Sequence, residues 1–180
     1  MGGRNIAAYY LLKELSPGID PLGSENKLVF TTSVITGTKI PGSSRFTVAA
    51  KSPLTGGYAE AEAGGWWGPE LKFAGFDALI VEGISPEPVY LLMKDEQIDI
   101  KKATDLTGKT TGDVQQILKD KHGEKARVLQ CGPAGENLVK YACITNELRH
   151  YCGRTGLGAV MGSKRLRAVV VRGTGKVQVN

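Results

Sequence analysis

The sequence predicts an α+β domain made of two related halves, each a set of short strands with a short helix. Three observations lead there. Helical and strand-type periodicities alternate in short runs along 180 residues, a length suited to one core. A glycine-rich layout occurs twice, at residues 64–83 (GGWWGPELKFAGFDALIVEG) and 153–173 (GRTGLGAVMGSKRLRAVVVRG). Glycine itself, 24 of 180 residues, is spread without the period of a fibrous protein, so it marks turns and close backbone approaches.

The first element is an amphipathic helix over Arg4–Leu15, closed by Ser16, Pro17 and Gly18. β-branched runs predict strands over Lys27–Ser33 and Arg45–Lys51, with Gly37, Pro41 and Gly42 supplying the loop between them. The apolar run bounded by Asp77 and Gly83 reads as a buried strand. Residues 89–101 read as a hairpin, Val89–Lys94 and Gln97–Lys101, turning at Asp95 and Glu96.

A helix follows over Gly112–His122, with Val114, Ile117, Leu118 and Lys121 on one face and Gly123 as its stop. A strand is expected at Arg127–Cys131, and the segment 137–145 (NLVKYACIT) is strand-like, although Tyr141–Cys143 also suits a helix start. Each glycine-rich repeat holds a loop, a short helical stretch, a lysine, an apolar strand and a charge followed by glycine. Such duplication suggests pseudo-two-fold symmetry, with room for a bipartite ligand on the axis.

Composition excludes several classes. Hydrophobic residues at 41% and charged residues at 23% argue against disorder. The chain has no run of about 18 apolar residues and no leader-like cleavage pattern, which predicts a cytoplasmic protein without membrane attachment. Cys131, Cys143 and Cys152 are odd in number and lack Cys-x-x-Cys pairing, so they read as free thiols. The net charge of +5 owes much to Arg154, Lys164, Arg165, Arg167, Arg172 and Lys176, a stretch expected to attract anions.

The chemistry-bearing motifs are few. Gly156, Gly158 and Gly162 have the wrong spacing and the wrong strand order for a dinucleotide fingerprint, and no Walker A sequence is present. What remains is a glycine loop whose N–H groups, beside Arg154 and Lys164, suit a phosphate. Trp66 and Trp67 read as anchors in two directions, Glu60 and Glu62 as a solvated strand face, and His122 and His150 as hydrogen-bonding histidines. Nucleic-acid binding has no supporting motif.

Four long stretches together resemble the N-terminal domain of the tungsten-containing aldehyde ferredoxin oxidoreductase family. They are residues 51–57 (KSPLTGG), 63–83 (AGGWWGPELKFAGFDALIVEG), 132–144 (GPAGENLVKYACI) and 153–174 (GRTGLGAVMGSKRLRAVVVRGT). The resemblance implies an α+β fold of two pseudo-two-fold-related β-sheets with short helices, forming a base for a tungsten or molybdenum ion held by the dithiolenes of two pterins (tungstopterin or molybdopterin). It implies a role for Arg45 at the pterin system. It also implies that Glu62, Ala63, Gly64 and Gly65 wrap one cofactor, and that His150, Tyr151, Cys152, Gly153 and Arg154 wrap the other. Backbone carbonyls from these two segments, assigned to Glu62 and Tyr151, would take part in binding the magnesium that bridges the two phosphates. The family pattern often has Asn at the position of Glu62, and Arg-Ala-Ala at His150, Tyr151 and Cys152.

The same resemblance implies an oxidoreductase that turns aldehydes into carboxylic acids with ferredoxin as acceptor, or a tungsten subunit that reduces aromatic-ring thioesters. Family members carry extra strands before the position of Gly2, Gly3 and Arg4. They also carry C-terminal domains with the cysteines of a [4Fe–4S] cluster. Residues 1–180 are therefore expected to form a single platform domain, inactive alone, needing those domains or a partner subunit, and open to pairing as a homodimer. A rival from another class is a non-catalytic cofactor-binding or assembly module.

Overall fold

The two halves repeat one connectivity, and the repeat extends upstream of the glycine-rich segments to a helix at the head of each half. In the computed structural model, which describes residues 2–178, the first half runs α1 (Arg4–Glu14), β1 (Leu28–Thr32), β2 (Phe46–Lys51), β3 (Tyr58–Ala63), α2 (Trp67–Phe73) and β4 (Ala78–Val81). A hairpin of β5 (Val89–Lys94) and β6 (Gln97–Lys102) follows. The second half repeats the order with α3 (Thr111–His122), β7 (Arg127–Cys131), a short α4 (Pro133–Glu136), β8 (Ile144–Asn146), β9 (His150–Cys152), α5 (Leu157–Ser163) and β10 (Leu166–Arg172).

Each half makes an antiparallel sheet with the same strand order. The first sheet is β3-β2-β1-β4, and the second contains β9-β8-β7-β10, extended beyond β10 by β5 and β6. The registers agree residue for residue. Phe46 pairs with Ala63 as Ile144 pairs with Cys152, and Thr47 pairs with Glu62 as Thr145 pairs with Tyr151. Glu62 and Tyr151 thus occupy the same place in their halves. Both α2 and α5 have seven residues, and the residues that follow them, Ala74 and Lys164, share dihedrals of −80°, 1° and −79°, 0°.

Packing explains the pairing of the halves. The apolar faces of the two sheets and the helices α2 and α5 share one core that includes Phe30, Phe46, Trp67, Leu71, Leu129, Leu157, Met161 and Val169. The outer face of the first sheet is covered by α1 through Ala7 and Leu11, and that of the second by α3 through Val114 and Leu118. β10 lies between β5 and β7 and is apolar on both faces, as its unbroken Ala-Val-Val-Val run requires. Thr110 caps α3 by accepting from the Asp113 amide, and Lys119, Lys121 and His122 sit in its last turn, where the helix dipole favours cations.

Reciprocal ties cross the boundary at equivalent places. Past the end of α2, Gly173 packs against Phe73 and Ala74, and its N–H donates to Glu70 Oε1 at 2.9 Å. Past the end of α5, the buried Lys164 ammonium donates to the carbonyls of Gly83 and Asn26.

Several expectations need correction. Segment 137–145 is not a continuous strand: its residues turn over α4, and β8 begins only at Ile144. Lys121 leaves the buried face of α3 and pairs with Asp105 at 2.8 Å. The C-terminal cations do not form a face, because Lys164 and Arg167 are buried and Arg172 pairs with Glu70 at 2.8 Å. Only Trp67 anchors the core, while Trp66 is 61% exposed. Among the described residues no helix is long and apolar enough to cross a membrane.

Candidate functional site

β3 and β9 are the outer strands of their sheets, and the fold lays them against each other. Each is followed by a glycine loop that reaches over the other half. Asn146 Nδ2 donates to the Gly64 carbonyl at 2.6 Å, the Trp66 N–H donates to Glu147 Oε2 at 3.0 Å, and Ser52 Oγ donates to the Thr155 carbonyl at 2.7 Å. The segments 62–65 and 150–154, distant in sequence, become neighbours by this arrangement.

Two polar depressions result. The first, about 520 Å³, lies where β3 meets the loop after β9 and collects Arg45, Glu62, Tyr151, Gly153 and Arg154, with Arg4 and Glu60 in addition. Its charges are organised around Glu62, which pairs with Arg4 at 3.0 Å and Arg45 at 3.7 Å; Arg4 also reaches Glu60 at 3.3 Å. The hydrogen bond that Arg4 donates to Glu62, then the charges of Glu60 and Glu62, raise the Arg4 guanidinium above its usual pKa. Tyr58 is pushed up to about 12, chiefly by burial and then by its bond to Glu60. Arg154 is exposed and, among the described residues, has no acid within ion-pair distance.

The second depression, about 330 Å³, lies where β9 meets the loop after β3, so it exchanges the roles of the two halves. Its lining includes Trp66, Arg127, Glu147, Arg149 and His150. Glu147 Oε1 accepts from Arg127 at 2.9 Å, and the Arg127 guanidinium lies 5.7 Å from the centre of the Trp66 ring.

Of the residues expected at the site, Arg45, Glu62, Tyr151, Gly153 and Arg154 line the first depression and His150 the second, whereas Ala63 and Cys152 point their side chains into the core. The two loop glycines differ. Gly65 has φ +87°, and a Cβ there would lie 2.6 Å from Asn146 Nδ2 and 2.7 Å from His150 Cδ2, so the fold itself requires this glycine. A Cβ on Gly153 would meet nothing within 4 Å. Lys164, expected beside the phosphate loop, instead follows the far end of α5 and is held there by the carbonyls of Asn26 and Gly83.

This donor set suits anions. Exposed guanidinium groups and loop backbone offer hydrogen bonds, while burial pushes Cys131 and Cys152 up to about 12, which keeps both thiols protonated and unreactive. Among the described residues no three His, Cys, Asp or Glu gather in a way that could hold a metal ion. Arg4, Glu60 and the Trp66–Arg127 pair escape the sequence reading, because their contacts join residues 56 to 61 positions apart.

Comparison with known proteins identifies this architecture. A family described as aldehyde ferredoxin oxidoreductase, N-terminal domain, matches residues 1–173. The chain belongs to the aldehyde ferredoxin oxidoreductase family. It is 48% identical over 180 residues to the tungsten-containing aldehyde ferredoxin oxidoreductase of Pyrococcus horikoshii, covering 99% of this chain and 30% of that protein. The WOR-like subunit of an aliphatic sulfonate oxidoreductase from Pyrococcus furiosus is 36% identical, covering 97% of this chain and 30% of that protein. The solved active-site complex BamBC of benzoyl coenzyme A reductase, in complex with 1,5-dienoyl-CoA, contains a chain that superimposes with a TM-score of 0.95 at 41% identity. That match covers 98% of this chain and 27% of the other. The family's expected fold of two related sheets is the one seen here. The chain spans about 30% of the length of these relatives.

Proposed function

We propose that this chain is the base of an oxidoreductase active site, on which a tungsten or molybdenum ion held by the dithiolenes of two pterins rests. The observation that carries this reading is the pseudo-two-fold placement of segments 62–65 and 150–154, which gives two similar edges to a ligand with two similar halves. Arg45, Arg154 and Arg4 would hold phosphate, as guanidinium groups do in a fork. The backbone carbonyls of Glu62 and Tyr151, equivalent in register, would help to hold a magnesium ion. Glu62 keeps Arg4 and Arg45 in place and offsets part of their charge.

When bound, the metal would supply the oxygen-transfer and electron chemistry. The chain's own part is to orient the cofactor by fixed donors, and its relatives' names support a reaction of the aldehyde-oxidising, ferredoxin-linked kind. Iron–sulfur ligands would come from outside this chain.

Elemental analysis for tungsten and molybdenum, with pterin fluorescence after oxidation, tests the reading on the whole protein purified without oxygen. Metal with about two pterins per ion supports it. Clean protein that lacks both under tungstate-replete growth removes it in favour of a non-catalytic module.

A second reading, the platform of an aromatic-ring thioester reductase, is supported by the likeness to the benzoyl coenzyme A reductase chain. Dye-linked aldehyde oxidation without aryl-CoA reduction selects the first reading, and the converse selects the second.

A further inference from the structure

We propose that the depression between Trp66 and Arg149 is a separate oxyanion subsite, taking a phosphate monoester or diphosphate group. Its lining shares only His150 with the segments assigned to the cofactor, and the proposal stands on the charge and unmet hydrogen bonds of this depression.

Three side chains supply the charge. Lys119, Arg127 and Arg149 line the depression against one carboxylate, Glu147. Both Glu147 oxygens are already engaged, one by Arg127 and the other by the Trp66 N–H. Lys119 reaches Glu124 only at 3.6 Å, and Arg149 has no acid within 4 Å among the described residues. The first depression sets three arginines against Glu60 and Glu62 and is nearer to neutral.

Unmet hydrogen bonds point the same way. Arg127 Nε, Gln115 Oε1 and Asn146 Oδ1, in and beside the depression, are buried with no hydrogen-bond partner among the described residues. Native interiors leave few such atoms, since each orphan has given up its bonds to water without replacing them. A protonated phosphate oxyanion offers acceptors to Arg127 and a hydroxyl donor to an amide oxygen, and so answers both kinds of vacancy.

The backbone is held under strain to build this place. Glu147 and Leu148 turn from β8 to β9 with φ of +52° and +61°, a region that disfavours side chains with a Cβ. The turn puts the Glu147 carboxylate on Arg127 and the Trp66 N–H, and carries Arg149 to the rim. Trp66 leaves its indole open above Arg127, where a planar group attached to the phosphate can stack.

Isothermal titration of the whole protein with inorganic pyrophosphate at low salt tests the proposal, starting from protein made in cells unable to synthesise the pterin cofactor. One saturable site per chain is expected. Its affinity should fall at least tenfold in Arg149→Ala and in Arg127→Met, and stay within twofold in the Lys101→Ala, Lys102→Ala double variant. Arg149 is exposed and has no acid within 4 Å among the described residues, so its variant keeps the test sound if Arg127→Met folds badly. Absence of saturable binding, or wild-type affinity in Arg149→Ala, overturns the proposal. Repeating the titration on cofactor-loaded protein separates two sources of the ligand. Lost binding shows that the cofactor's own phosphate fills the depression and overturns a separate subsite, and retained binding assigns it to another phosphate ester. Saturable binding in a protein that never acquires tungsten or molybdenum would leave this subsite standing while the proposed function fails.

Discussion

Trp67 donates its indole N–H to the carbonyl of Val169 at 3.1 Å, joining the first half of the chain to the central strand of the second. The ring lies 4.9 Å from Phe46 and 5.8 Å from Phe30, centre to centre, so one side chain touches both sheets. Trp67→Phe removes the indole hydrogen bond to Val169 and opens a void in the shared core. Stability measured by denaturant titration should fall by about 2–4 kcal/mol. Trp66→Phe, at an exposed position, should change it by less than about 1 kcal/mol.

Alkaline pH should weaken the fold through Cys131 and Cys152. Burial raises both thiols from 9.0 to about 12, so the folded state holds protons that the unfolded chain releases. Their contribution is complete below pH 9 and is lost as pH rises toward 12. Unfolding midpoints recorded from pH 8 upward should decline, and Cys152→Ala should reduce the slope by about one proton.

Lys164 acts with the opposite sign. Burial lowers its ammonium from 10.5 to about 8, so above pH 8 the unfolded chain binds the extra proton. Relative to Lys164→Met, the wild-type protein should gain stability as pH rises from about 8 to 10.5 and lose it as pH falls through 8. Parallel melting curves for the two proteins across that window check this, and curves with a constant offset would refute it.

Glycines with different surroundings should behave differently. A Cβ on Gly162 would stand 1.9 Å from the Gly135 carbonyl oxygen, so Gly162→Ala should destabilise by about 3 kcal/mol or more, read by thermal melting. Gly153→Ala meets open space and should keep stability within about 0.5 kcal/mol. If the proposed platform is right, that same variant should carry less tungsten per chain than wild type; an unchanged metal content would remove Gly153 from the site.

Local signals made much of this fold readable. The helix α3 has a capping threonine, a periodic apolar face and a glycine stop, and the β5–β6 hairpin turns where the alternation breaks. The duplicated glycine-rich segments suggest the symmetry that the two sheets display. What escaped depends on the meeting of the halves. Adjacent residues at a helix start diverge by about 100°, so only one of Trp66 and Trp67 can face the core, and the choice is made by Phe46 and Val169. Glu70 reads as an ordinary acid until Arg172 and the Gly173 N–H arrive from 102 and 103 residues away. The five expected residues of the first depression came from family likeness. Arg4 and Glu60 came only from geometry.

The bond between Trp67 and Val169 also sets a timetable. A ribosome adding about 5–20 residues per second needs roughly 5–20 s to travel from Trp67 to the strand that covers it. For that interval Trp67, Leu71 and the inner face of the first sheet have no second sheet to rest on. A nascent chain stalled before residue 166 should therefore bind a hydrophobic chaperone more tightly than one released after residue 173, although both carry a finished first half.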